Sequence, residues 1–283
     1  LTILNQILRA ISDVVLWPFQ DLPALVGLAV VSLVTAVFML LIFKATSNQK
    51  MIEAVKRRIH SCLFEIRLFN DDLRAILRAQ IEILRHNATY IRLSLVPLLW
   101  MIVPLMLLLA QLQFQYAYEG LRPGASALLK VELREDWRET ASVPAGEADK
   151  PAVELIVPEG LRVETEPVWI PSLREIDWRL AAEDWGQFEI QVLLGGESYA
   201  KNVQVDTGIR RRSPVRWERG FWNQVLYPAE DPLPASSPIR AITIGYPDAS
   251  VSIFGWGLHW IIVFFILSIV FAFALRNRFG VTI

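Results

Sequence analysis

"ALVGLAVVSLVTAVFMLLIFKATSNQKMIEAVKRRI", residues 24 to 59, decides the fold. Residues 24 to 43 hold no Asp, Glu, Lys or Arg, and as a helix they are long enough to cross a hydrocarbon core of about 30 Å. The texture then reverses, with Lys44, Lys50, Lys56, Arg57 and Arg58 following in close order. An apolar span opening into a basic segment predicts a membrane helix whose basic end stays in the cytoplasm, because short flanks rich in Lys and Arg set orientation.

Two more stretches repeat the first. One runs from Leu93 through "LVPLLWMIVPLMLLLA" to Ala110, and the other is "SIFGWGLHWIIVFFILSIVFAFAL", residues 252 to 275. The chain is 283 residues and 53% apolar, and its formal net charge of -1 conceals a separation of signs. That composition places it among membrane proteins. Arg67, Arg74, Arg78, Arg85 and Arg92 continue the basic run between the first two spans, Arg276 and Arg278 follow the third, and Arg9 stands against Asp13 and Asp21 before the first. The expected layout is therefore an N-terminus outside, transmembrane helices at 24–44, 92–114 and 252–275, a cytoplasmic segment at 45–91, and a cytoplasmic tail at 276–283. Residues 121–250 form an extracytoplasmic domain, and the expected location is a bacterial inner membrane. The sequon at Asn87 falls on the cytoplasmic side and reads as chance.

Leu1, Leu4, Ile7, Leu8, Ile11, Val14 and Val15 make a helical stripe over residues 1–20, with Asn5, Arg9 and Asp13 away from it. An amphipathic helix lying in the membrane interface is expected there; a packed or partner-binding helix would carry the same pattern. In the cytoplasmic segment, Ile52, Val55, Ile59, Cys62, Leu63 and Ile66 form one stripe and Leu73, Ile76, Leu77, Ile81 and Leu84 a second. "FNDD" breaks the run and supplies Asn70 or Asp71 as a cap, so two helices are expected to bury their stripes in a hairpin or short coiled coil. Lys50, Lys56, Arg57 and Arg58 are its candidate docking charges.

From Leu121 the pattern becomes short alternating runs: "ALLKVEL", "AVELIVP", "LRVET", "IDWRLAA", "GQFEIQVLL" and "ESYAKNVQVD". Alternation at this spacing predicts an antiparallel β-sandwich, with a hairpin turn at Gly195 and Gly196 and Trp178, Phe188, Ile190 and Val192 in the core. The stretch "IRRRSPVRWERGFWNQVLYP" mixes charge with rings, and Arg210, Arg211, Arg212, Trp217 and Trp222 are candidate lipid-headgroup contacts. A protein interface would use the same residue types. No catalytic constellation is visible: Ser126, Ser142 and Ser198 lack a nucleophile-elbow context, and Cys62 and three scattered histidines match no metal-ligand spacing. No enzyme, metal or cofactor is expected, and no DNA partner.

"FKATSNQKMIEAVKRRI" leaving the first span and the proline-bearing "ATYIRLSLVPLLWMIVPLMLLLAQLQ" of the second, around Pro97 and Pro104, with the basic hairpin between them, resemble the YidC/Oxa insertase superfamily. The likeness is to its three-span branch, which includes archaeal YidC-like proteins and the insertase-like subunit of the ER membrane complex. It covers roughly residues 10 to 116 plus the last span, and the outer domain between the second and third spans departs from that branch. The resemblance implies membrane-protein insertion or chaperoning through a hydrophilic groove, with nascent chains and the ribosome as partners. Ser32, Thr35, Lys44 and Ser94 are the residues that could line such a groove. A non-catalytic accessory or scaffold subunit of a larger membrane complex, for example an energy-converting one, is the alternative, with lipid and other membrane-protein subunits as partners.

Overall fold

The computed structural model describes residues 2–69, 71–140, 150–253 and 255–281, so Leu1, Asn70 and Ser142 lie outside the described residues. In chain order the elements are α1 (Thr2–Leu16), α2 (Ala24–Thr46), α3 (Gln49–Leu68), α4 (Leu73–Tyr116), β1 (Ser126–Leu133), α5 (Trp137–Thr140), β2 (Val153–Ile156), β3 (Leu161–Val163), β4 (Val168–Ile170) and β5 (Glu175–Ala182). They continue as β6 (Gly186–Leu194), β7 (Glu197–Val205), β8 (Val215–Trp217), α6 (Phe221–Leu226), β9 (Ile239–Ile244), β10 (Val251–Ile253), β11 (Trp256–Leu258) and α7 (Trp260–Phe279). Two compact units result: Leu1–Gly27 with Leu107–Trp260, and Leu28–Met106 with Ile261–Ile283. The helices α2, α4 and α7 are each long and apolar enough to span a membrane.

The first unit is rich in antiparallel sheet. One sheet has the order β3-β5-β1-β9-β8, with β4 also pairing β5, and a second has the order β2-β6-β7. Central β1 sets Leu129 opposite Trp178 on one side and Val131 opposite Ile242 on the other. Its period of two sends Ala127, Leu129, Val131 and Leu133 inward, and they join Ile190, Val192, Val203 and Val205 from β6 and β7 in one buried cluster. Trp178 belongs to that cluster, and Phe188 packs half-buried at its edge. The β6–β7 hairpin turns between Leu194 and Glu197, with Gly195 at φ +62° and Gly196 at φ +81°. Positive φ at both central residues is what a type I′ turn demands, which is why two glycines stand there.

The helical ends held in this unit pack closely. A Cβ on Gly27 would lie 2.7 Å from the Tyr116 hydroxyl and 3.3 Å from Phe19 and Ile209, so only glycine lets the first turn of α2 sit there.

In the second unit, α3 and the first part of α4 form a helical pair. Asn48 caps α3 by accepting from the Met51 amide at 3.1 Å, and Asp72 caps α4 by accepting from Arg74 at 2.9 Å and Ala75 at 3.2 Å. The α4 cap is thus Asp72 rather than Asp71, because Asp72 is the residue immediately before the first helical turn and its carboxylate reaches the N2 and N3 amides. Two boundaries also move. No break separates the hairpin from the second span at 91/92, since α4 is one helix of 44 residues; Pro97 and Pro104 each remove one backbone donor without ending it. The third long helix starts at Trp260 instead of 252. Val251–Ile253 and Trp256–Leu258 pair instead as the antiparallel strands β10 and β11, where Ile253 faces Trp256 and Gly255 takes φ +86°. Apolar content alone cannot separate those strands from the helix they precede.

Candidate functional site

Two of the four groove candidates, Ser32 and Thr35, are buried by helix packing, and a third, Lys44, is exposed but hydrogen-bonded. On α2 the buried positions Leu28, Val31, Ser32, Thr35, Ala36 and Leu40 recur at helical spacing. The Thr35 hydroxyl donates back to the Val31 carbonyl at 2.7 Å, and the Ser32 hydroxyl donates to the Phe264 carbonyl of α7 at 3.4 Å. Lys44 donates to the Phe279 carbonyl at 2.8 Å, a cation at the negative end of α7. Ser94 is half-buried on α4. Ser32 therefore ties α2 to α7, while Thr35 turns back on its own helix, because a hydroxyl in an apolar setting bonds the nearest backbone carbonyl.

The arm differs from expectation in which face it covers. Ile52, Val55 and Cys62 of α3 are buried as expected, and on α4 Ala79 is fully buried, with Ile76 and Ile83 half-buried. Leu73, Leu77, Ile81 and Leu84 are exposed by 69%, 51%, 61% and 69%. Their spacing of four, four and three makes a continuous stripe on the other side of the helix. Two apolar stripes share the α4 segment, and α3 covers one of them. At the other end of α3, Leu63, Phe64 and Leu68 are also open. Of the candidate docking charges, Lys50 and Arg58 are exposed, Arg57 pairs with Glu53 at 3.4 Å, and Lys56 lies 5.4 Å over the Tyr90 ring.

Cys62, Glu65 and Glu82 bring a thiol and two carboxylates within 4.8 Å of one another. The thiol donates to Glu82 at 3.8 Å, and burial followed by the Glu82 charge pushes it up from its ordinary value. A thiol held in its protonated form is a poor metal ligand and a serviceable link between the two helices.

The basic and aromatic stretch makes protein contacts at three of its five headgroup candidates, Arg211, Arg212 and Trp217. Arg212 is 3% exposed; it pairs with Asp206 and donates to the Gly208 carbonyl at 2.6 Å and the Tyr118 carbonyl at 2.8 Å. Arg211 donates to Asp13 and Ser12 at 2.8 Å and to the Arg9 carbonyl at 3.0 Å, all on α1, and burial pushes it down to about 10 while Asp13 opposes that pull. Trp217 packs against Tyr227 at 5.7 Å and under Arg240 at 5.9 Å. Arg210 is half-buried and, with Arg211, Gln115, Gln187, Asn202 and Gln204, lines a cavity of about 380 Å³. Arg210 Nε and Arg211 Nε, together with Gln115 Oε1 and Gln204 Oε1, have no protein hydrogen-bond partner there. Donors and acceptors in equal number suit bound water. Of the five candidates, Trp222 alone stays fully open, edge-on to exposed Phe221 at 5.2 Å.

One buried charge escaped the sequence reading. Lys201 is fully buried on β7, donating to Glu230 at 2.6 Å, the Ser213 carbonyl at 2.6 Å and the Ser213 hydroxyl at 2.9 Å. Burial pushes the ammonium down from its ordinary value, and the Glu230 carboxylate opposes that. Its position was readable, since Tyr199, Lys201, Val203 and Val205 alternate on the inward face. Comparison of the chain with protein-family models, curated proteins and solved structures finds no match.

Proposed function

We propose that this is an integral membrane protein whose α3–α4 arm docks a protein partner, so that the chain serves as a non-catalytic accessory or scaffold subunit of a larger membrane assembly. In this reading α2, α4 and α7 cross the bilayer, the arm is cytoplasmic, and the sheets form a sandwich on the outer side. The basic flanks of the arm and the Arg276–Arg278 tail support that orientation. One observation carries the function: the stripe Leu73, Leu77, Ile81 and Leu84 is exposed on a helix whose other apolar face is already covered. A helix of the partner, with apolar residues three and four apart, fits such a stripe.

The insertase reading is second. It is favoured by the layout of a basic hairpin between two spans and by the small buried share of the α4 span. The commitment of Ser32, Thr35 and Lys44 to backbone carbonyls weighs against it. The test is photocrosslinking in native membranes from probes at Lys50, Arg58 and Leu77, repeated in Leu77→Asp/Ile81→Asp. A scaffold should trap one membrane protein in fixed ratio and lose it in the double variant, while the chain itself remains in the membrane. Trapping of nascent chains or ribosomes would transfer the function to insertion.

A further inference from the structure

The polarity of α1 is inverted relative to a helix packed on a water-soluble domain. Ile3, Ile7, Ala10 and Val14 are exposed, with Leu4, Ile11 and Val15 beside them. Half a turn around, at the same helical spacing, Asn5 and Leu16 are buried and Arg9 and Ser12 half-buried. Polar contacts hold that inner face. Asn5 donates to the Gln224 carbonyl of α6 at 2.6 Å, Arg9 pairs with Asp231, and Arg211 reaches Ser12 and Asp13. Ion pairs and hydrogen bonds thus fix the helix while its apolar face is turned outward.

We infer that the outward face of α1, together with Phe221 and Trp222 of α6 beside it, is a foot that rests in the interfacial layer of a lipid bilayer. The occupant follows from three observations within this unit. The same unit holds the first turn of α2, and only residues 17–23 separate that turn from α1, so the face lies at the level where the chain starts its first long apolar helix. Exposed tryptophans mark that level: Trp17 is 72% exposed at the end of α1, and Trp256 is 75% exposed four residues before α7. Tryptophan favours the headgroup boundary because its ring is apolar and its N–H is a donor. Finally, the stripe carries no charge and the flanking polar residues are committed to protein, the division expected of a helix lying in the interface. The inference rests on the membrane reading proposed above.

The experiment uses the full chain with Cys62→Ala, reconstituted into phosphatidylcholine–phosphatidylglycerol vesicles. Nitroxide labels are placed singly at Ile7, Ile11, Leu99 and Glu189, and collision with oxygen is compared with collision with a water-soluble nickel chelate. All four positions are exposed on the protein, so the labels displace no packing. Nickel contact should be lost at Ile7 and Ile11, with oxygen contact retained but shallower than at Leu99, while Glu189 remains open to nickel. Nickel contact at Ile7 and Ile11 equal to that at Glu189 would overturn the foot and leave the spans standing. Exclusion of both reagents there would mean that a second copy covers the face, which also overturns it. Nickel contact at Leu99 would remove the membrane reading and the foot with it.

Discussion

The sheet-rich unit and the α4 helix treat the same residue types in opposite ways. In the sheets, Leu129, Val131 and Ile242 are wholly shielded, and the charges that go inside are paired, as with Lys201 and Glu230 or Arg212 and Asp206. On α4, Leu98, Leu99, Trp100 and Val103 stand 51% to 66% open over a run with no charge to pair. A β-strand in water must hide alternate side chains, whereas a helix satisfies its own backbone and can present apolar groups on every side if its surroundings are apolar. The difference teaches that burial within the chain measures stability only where water is the surrounding medium.

Three changes bear on that contrast, from largest to smallest. Glu230→Ala leaves the Lys201 ammonium buried without its partner, and breaking a buried pair in this way costs about 3–5 kcal/mol. Amide-exchange protection of β6 and β7 in the reconstituted chain should fall by about two to four powers of ten. Unchanged protection would mean that Lys201 is solvated as a surface lysine is.

Leu99→Asp is the converse test. If the open face of α4 meets lipid, the change worsens insertion by about 3 kcal/mol, read as a fall in the carbonate-resistant fraction. An equal fraction for both proteins would mean that the face meets water, and the contrast between the two regions would collapse.

The smallest effect is a pH slope at the sheet surface. The Asp177 carboxyl is pushed up from 3.8 to about 6, first by burial and then by Glu175, with Lys130 opposing. The native state then binds its proton more tightly than the unfolded chain does, so the contribution of this group to stability is fully present below pH 4 and is lost as pH rises through about 6. Asp177→Asn should flatten that decline in a thermal melt of the sheet region. A slope identical to that of the parent would show that the Asp177 carboxyl does not carry it.

Much of this architecture was legible locally. The three apolar helices, six of the strands and the glycine turn after Leu194 follow from periods of 3.6 and 2.0 and from the φ angles that glycine permits. β4, β8, β9, β10 and β11 were not, because four of them are only three residues long and carry no alternation of their own; β9 earns its place by pairing with β1 from more than a hundred residues away. The candidate site was less legible still. An arginine beside a tryptophan has the same composition whether it meets a phosphate or, like Arg212, closes over a buried aspartate.

By itself, then, the sequence determined what depends on neighbours along the chain: where long apolar helices lie, where the basic flanks fall, and which strand positions face inward. Tertiary structure alone decided what depends on neighbours in space. It chose which of two apolar stripes on α4 the α3 helix would cover, turned the polar side of α1 inward, and paired β10 with β11 ahead of α7. The physical reason is that periodicity records where an apolar face is, while the partner that covers it is fixed only by the free energy of the whole packed arrangement.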